Sequence, residues 1–506
     1  MTKPDDPQVA LRRSVYVLLI VISTGVMLGR ILAVDTTDRI GAETNRLTEI
    51  PGRLEEKRKA FQDAGLAPDQ VDQALQQEKR RLTAWALVRR PFLSANDRSR
   101  WCTLRALVEP DMRVPGAPYA IDRVIRDRQW NTIDKVMHDG HYYSSKPTLL
   151  PTLMAGVYWL VYHGLGLSLG VQTYATVRLL LVLFNVVPLV IYFILLARLA
   201  ERFGTTDWGR IFVIGAACFG TFLTTFAVTN NNHVPAAAGV MGALYAALRI
   251  WFDGQRRLRY FALAGLLAAF TVADELPALS LLAAMFVGLL WKSPKGTLVA
   301  FTPAVLVVAA GFFGSNWIAH HSLKPAYAHR NTADPKDDWY AFTENGRPSY
   351  WQNPVGIDRG EPSKAVYALH ALVGHHGIFS LTPIWAFTVA GLGIWLVKPA
   401  DGRFRELALL ITAVSLVCLL FYLFRPLHDR NYGGMTSGLR WMFWFTPMWL
   451  LAMLPALDAA AGRRWLRGVA WVCLTVSVLS ASYPTWNPWT HPWLLNYLQY
   501  LGWIRL

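Results

Sequence analysis

The chain has 506 residues, 53% of them hydrophobic and only 17% charged, with a formal net charge of +16. Soluble domains carry about 25% charged residues, so a string of ordinary soluble domains is excluded, and apolar runs recurring from residue 14 to residue 484 point to one integral membrane body. Four cysteines are too few for a secreted disulfide framework, and the basic excess sits in short connections between apolar runs, which argues against nucleic acid as a partner.

In chain order, the run at 14–34 follows Arg12 and Arg13 and lacks a small-residue cleavage site. It is expected to be a retained N-terminal anchor (1–34) with its start in the cytoplasm. A long exterior loop, 35–173, comes next. Its charged stretch 41–90 is punctuated by Pro51 and Gly65, and Val71, Leu75, Leu82 and Trp85 recur at helical spacing, so a helical hairpin resting on the body is expected there. The apolar segment 149–169 is ambiguous by length. Counting it as a span would invert every later basic connection, whereas laying it in the outer interface puts Arg198–Arg210, Arg256–Arg259, Lys292–Lys295, Lys398–Arg405 and Arg463–Arg467 all in the cytoplasm.

That assignment gives spans at about 14–34, 174–197, 211–229, 234–252, 259–273, 277–291, 297–319, 377–397, 406–424, 440–457 and 468–484. The expected fold class is all-α: a polytopic membrane bundle of about eleven spans whose first exterior loop carries interfacial helices. The chain then divides into the anchor, the exterior loop, a bundle at 174–319, an exterior loop at 320–376, a bundle at 377–484 and an exterior tail at 485–506. In the tail, Trp486, Trp489, Trp493, Tyr497, Tyr500 and Trp503 read as an aromatic anchor.

Ionisable residues at the edges of apolar spans are functional candidates by default. Asp97, in Ser94-Ala95-Asn96-Asp97-Arg98-Ser99-Arg100-Trp101, reads as a carboxylate general base near the membrane surface, while Asn96 or Asp97 serves equally as a helix cap. Lys146, beside Pro147 at a helix start, suits a phosphate; a lysine snorkelling to headgroups is the alternative. Asn230-Asn231-Asn232-His233, Asp274-Glu275 and the run from His428 through Gly433-Gly434 to Arg440 supply further polar ends. His370, His375 and His376 resemble metal ligands, but no Cys or carboxylate completes a set. P-loop, GxGxxG and HExxH patterns are missing from the sequence.

With these residues in this order, the chain resembles the C-type (GT-C) membrane glycosyltransferases, the class that includes the protein O-mannosyltransferases and the lipid A aminoarabinose transferase. Asn96-Asp97 is similar to the family's acidic first-loop motif, and Ser145-Lys146-Pro147 to its Lys-Pro element. Two departures stand out. Arg98 replaces the second acid of the pair, and His233 stands where many members carry an acid. The resemblance implies transfer of a sugar from a polyprenyl-phosphate donor to an acceptor hydroxyl on a lipid, glycan or protein, with inversion, on the outer face of the cytoplasmic membrane. In that scheme Asp97 is the catalytic base, Lys146, Arg100 and Arg440 hold the donor phosphate, and Glu275, His233 and Tyr143 contact sugar or acceptor. No cofactor is required, and a divalent metal is compatible but not called for. A transporter or flippase of a lipid-linked substrate is the alternative; it predicts a polar path through the midplane instead of one outer cavity.

Overall fold

The computed structural model describes residues 7–35, 39–87, 92–485 and 487–504; Trp486 and the side chain of Trp85 lie outside the described residues. Eight helices among them are long and apolar enough to cross a membrane: Pro7–Leu32, Thr173–Phe203, Asp207–Val228, His233–Trp251, Pro294–His320, Gly402–Leu423, Arg440–Ala460 and Arg464–Ser482. The chain is an integral membrane protein. Eight of the eleven expected spans meet this measure; the other three, Leu258–Asp274, Leu276–Lys292 and Trp385–Val397, are all 17 residues or shorter. At 1.5 Å per residue such helices fall short of a hydrocarbon core of about 30 Å. The ambiguous segment forms the short apolar helix Leu149–Leu165.

The bundle has two chemically distinct ends, marked by the two ends of His233–Trp251. Its 19 residues run about 28 Å at 1.5 Å per residue, close to the core thickness. At the Trp251 end the basic connections converge. Arg249 pairs with Asp253 at 2.6 Å, and Arg202 pairs with the same carboxylate. Trp251 Nε1 donates to Glu406 at 2.7 Å, Arg403 Nη1 donates to the Phe252 carbonyl at 2.8 Å, and Lys292 lies over the Trp251 ring. Arg12, of the first helix, bonds Glu201 at 2.6 Å and Asp207 at 2.5 Å.

At the other end two long extramembrane segments fold over one another. The helices Arg39–Asp63 and Pro68–Ala86 pair as a hairpin whose residues Ile50, Leu82 and Ala86 are buried together. Helix Ala95–Val108 follows, capped by Ser94, whose Oγ accepts from Asp97 N at 3.0 Å; the cap is therefore neither Asn96 nor Asp97. The fold is predominantly helical, as expected, with one small addition: Lys135–His138 and His141–Ser144 pair as an antiparallel hairpin. Asp139 and Gly140, with φ of 48° and 77°, make its two-residue turn. A smaller hairpin, Thr343–Glu344 with Arg347–Pro348, lies in the second segment. The two segments are joined by a bond from Met137 N to the Trp339 carbonyl at 2.9 Å, by stacking of His138 on Trp339 with centroids 3.9 Å apart, and by an apolar cluster containing Val136, Tyr143, Ala319, Trp339 and Tyr340.

Close approach of His233–Trp251 to Leu258–Asp274 sets the site, because His233 begins one helix and Glu275 ends the other. Small residues permit that approach. A Cβ at Gly239 would lie 2.7 Å from Thr271 Oγ1 and 3.2 Å from the Leu267 carbonyl, and one at Gly242 would strike the Leu267 side chain. Gly239→Val is expected to lower the thermal midpoint and depress activity together, since overpacking costs about 1–3 kcal/mol. Thermal unfolding of the purified protein checks this; an unchanged midpoint would remove the close-packing account.

Candidate functional site

Between the extramembrane segments and the His233 end of the bundle lies a cavity of about 720 Å³. Arg100, Lys146, His233, Glu275 and Arg440 line it together, although they come from five separate stretches of chain. Four of them, Arg100, Glu275, His233 and Arg440, are held by one continuous set of hydrogen bonds. Arg100 Nη2 donates to Asn232 Oδ1 at 2.7 Å, and its Nη1 donates to Asn96 Oδ1 and to the Asn230 carbonyl. Asn232 Nδ2 donates to Glu275 Oε1 at 2.8 Å and to the Asp274 carbonyl at 2.9 Å.

Arg440 donates through Nε to the Gly433 carbonyl and through Nη1 to His233 Nε2, both at 2.9 Å. Since a guanidinium only donates, His233 Nε2 must accept, so the ring proton is on Nδ1 and is given to Glu275 Oε1. The chain Arg440–His233–Glu275 thus fixes a neutral imidazole in one tautomer. Glu275 Oε2 accepts no hydrogen bond among the described residues and is the oxygen left for the cavity. The Arg440 contact depends on the turn before it. Gly433 and Gly434 have φ of 93° and 79°, and a Cβ on Gly433 would lie 3.2 Å from Arg440 Nε, so a side chain there is disfavoured by conformation and by space.

The electrostatics are those of an anion site with carboxylates around it. Neither Arg100 nor Arg440 forms an ion pair among the described residues; their partners are amides, carbonyls and an imidazole. Lys146 Nζ has one, Asp134 Oδ1 at 3.0 Å. Burial pushes the Lys146 ammonium down to about 8, with Asp134 opposing and Arg100 reinforcing the shift. Burial likewise lowers Arg100 to about 10, and Arg440 adds to it. Cations held this way gain most when an anion enters.

Two expected site residues lie elsewhere. Asp97 does not line the cavity. It is 1% exposed, and its Oδ1 accepts from Asn230 N at 2.9 Å and from Trp101 Nε1 at 2.7 Å. Burial raises its carboxyl to about 6. Its position at the start of a helix, four residues before Trp101, aims it into the wall, where it ties that helix to the 229–232 loop. Tyr143 also lies outside the lining, edge-on to His320 at 4.8 Å in the apolar cluster of the cap. Asp97→Asn keeps an acceptor oxygen, so turnover is expected to stay within about tenfold of wild type, whereas Asp97→Ala orphans two buried donors and costs about 1–3 kcal/mol. Activity and thermal stability of the two variants check this; loss of turnover in Asp97→Asn at unchanged stability would return Asp97 to the chemistry.

Other residues enter that sequence reasoning missed. Arg330 lines the cavity with Nε and Nη2 buried and unpartnered, and its guanidinium lies over Trp351 at 4.6 Å and Tyr340 at 5.7 Å. Those two nitrogens form one side of the guanidinium fork, the pair that grips two oxygens of one phosphate. Arg330 sits in a loop without a motif, so only the fold reveals it. Asp134 was hidden for the same reason. Asp274 Oδ2 and Trp489 Nε1 are further buried groups without partners in the lining, and Asp358, bonded to Tyr350 at 3.0 Å and Asn431 at 3.0 Å, closes one side. Among the described residues no three or more His, Cys, Asp or Glu side chains converge to hold a metal ion.

No family model and no curated protein matches the chain. Among solved structures it aligns with the Archaeoglobus fulgidus oligosaccharyltransferase in complex with zinc and sulfate, at 12% identity and a TM-score of 0.38, over 79% of this chain and 54% of that one. It also aligns with the archaeal oligosaccharyltransferase AglB from Archaeoglobus fulgidus in complex with an inhibitory peptide and a dolichol-phosphate, at 13% identity and a TM-score of 0.36, over 79% and 56%. The chain spans about half the length of the solved structures it matches. Scores at this level establish neither family nor activity.

Proposed function

We propose that the protein is a membrane glycosyltransferase that moves a sugar from a polyprenyl-phosphate donor to an acceptor hydroxyl, at the end of the bundle that faces away from the cytoplasm. One observation carries the reading: Arg100, Lys146, Arg330 and Arg440 line a single cavity at the ends of the apolar spans, two of them without an ion pair among the described residues and a third with two unpartnered buried donors. A lipid-linked phosphate supplies the missing anion, and its position at the edge of the apolar spans lets the prenyl chain remain in lipid. The expected site residues other than Asp97 and Tyr143 all lie in this one hollow, which favours a transferase over a polar path through the midplane.

The chemistry follows from the groups present. The acceptor hydroxyl gives its proton to Glu275 Oε2 while its oxygen attacks the anomeric carbon. The bond from that carbon to the phosphate oxygen breaks, its electron pair leaves with the polyprenyl phosphate, and the anomeric centre inverts. Lys146, Arg100, Arg330 and Arg440 stabilise the charge that builds on the leaving phosphate, in a cavity where cations are worth more than in water. His233 and Asn232 hold Glu275, and Asp274 Oδ2 stands ready for a sugar or acceptor hydroxyl. In this assignment Asp97 is a positioning residue.

Incubating the reconstituted protein with a panel of polyprenyl-phosphate sugars, and following release of polyprenyl phosphate, tests the reading. Release with at least one sugar, dependent on Lys146, is expected. A complete failure to bind any polyprenyl phosphate overturns it.

A further inference from the structure

A second hollow, of about 1070 Å³, lies beside the first and has no part in the scheme above. It is walled by the helical hairpin, the loop after Asp122 and the small hairpin Thr343–Glu344/Arg347–Pro348. Six of its lining residues are Arg or Lys and two are acidic. The acids are already engaged: both oxygens of Glu344 accept from Lys135, at 2.7 and 2.8 Å, and Asp122 faces His141 at 3.5 Å and the Tyr142 N–H. Arg53 and Arg81 pair within their own helices, with Glu49 and Glu78. Arg126, Arg128 and Arg347 are exposed and form no ion pair among the described residues. Arg347 lies directly across the small hairpin from Glu344, yet Lys135 has taken that carboxylate.

The two hollows adjoin. Ile133 and Tyr350 line both; Trp351 Nε1 donates to the Ile133 carbonyl at 2.9 Å, and Tyr350 reaches Asp358 in the site cavity. A molecule lying in the basic cleft therefore lies beside the cavity that holds the proposed reacting groups.

We propose that this cleft binds the acceptor, and that the acceptor is a polyanion, a glycan bearing repeated phosphate or carboxylate groups. This rests on the transferase reading. The hairpin at 39–86 then has a role, closing the cleft with Arg53 and Arg81 over the bound chain. Anionic headgroups of the membrane carry the same charge, so the test separates them from a water-borne polymer.

The full-length protein is placed in nanodiscs of neutral phosphatidylcholine and titrated with fluorescent polyphosphate and polygalacturonate, with neutral dextran as control. Binding of one or both anionic polymers is expected, weakening as salt rises, with no binding of dextran. The triple variant Arg126→Ser/Arg128→Ser/Arg347→Ser should bind roughly tenfold more weakly, given the modest worth of each exposed charge, while its binding of polyprenyl phosphate is unchanged. Lys146→Ala should bind the polymers as wild type does, so failure of the donor site and failure of the cleft are told apart. Equal polymer binding by the triple variant overturns the proposal. So does capture of phosphatidylglycerol vesicles without affinity for either soluble polymer, which assigns the cleft to lipid headgroups.

Discussion

Glu275→Gln is expected to abolish turnover, lowering kcat by about 10²- to 10⁴-fold, the usual worth of a positioned general base. The replacement is isosteric and keeps an oxygen for Asn232 Nδ2 and His233 Nδ1–H, so the fold and donor binding should survive. The loss should therefore appear in kcat, with KM for the donor changed little. Steady-state release of polyprenyl phosphate, beside equilibrium binding of the donor, measures both. Full activity in Glu275→Gln would place the base elsewhere, Asp134, Asp274, Asp358 and Asp429 being the other carboxylates that line the cavity.

Lys146→Ala has the second largest expected effect. Removing one charge from a site that stabilises a leaving phosphate costs about 10²- to 10³-fold in rate. The variant also strands Asp134, which has Lys146 as its 3.0 Å partner. A pH signature separates the electrostatic role from a packing role. With its ammonium pushed down to about 8, Lys146 is a cation below that pH and loses its charge as pH rises through it. Donor affinity should therefore be full near pH 7 and fall above pH 8. Lys146→Arg, which keeps its charge to far higher pH, should move that fall upward. A pH profile identical in wild type and Lys146→Arg would show that the lysine's charge plays no part in donor binding.

Much of this arrangement was legible in the residue order, for a physical reason. Hydropathy places the helices because the gain from moving long apolar runs out of water outweighs the finer preferences of individual residues. Basic connections mark one bundle end because Arg202, Arg249 and Arg403 meet there. Polar residues at the opposite helix ends, His233, Glu275 and Arg440, converge because the helices they end pack together. What escaped was direction. Asp97 stands at the expected place but faces Trp101 and Asn230, since its angular position on a capped helix turns it inward. Tyr143 alternates into the cap cluster because strand residues alternate faces, and the strand itself was not foreseen. Arg330 and Asp134 lie in irregular loops, where no periodicity tells which way a side chain points.

The most direct test of the central claim is a structure of the full-length protein in nanodiscs with a polyprenyl phosphate bound. The account predicts the phosphate in the 720 Å³ cavity, about 3 Å from Lys146 Nζ and from the guanidinium of Arg330, Arg100 or Arg440, with the prenyl chain leading into lipid. A phosphate bound at any other place, with these four cations untouched, would contradict it.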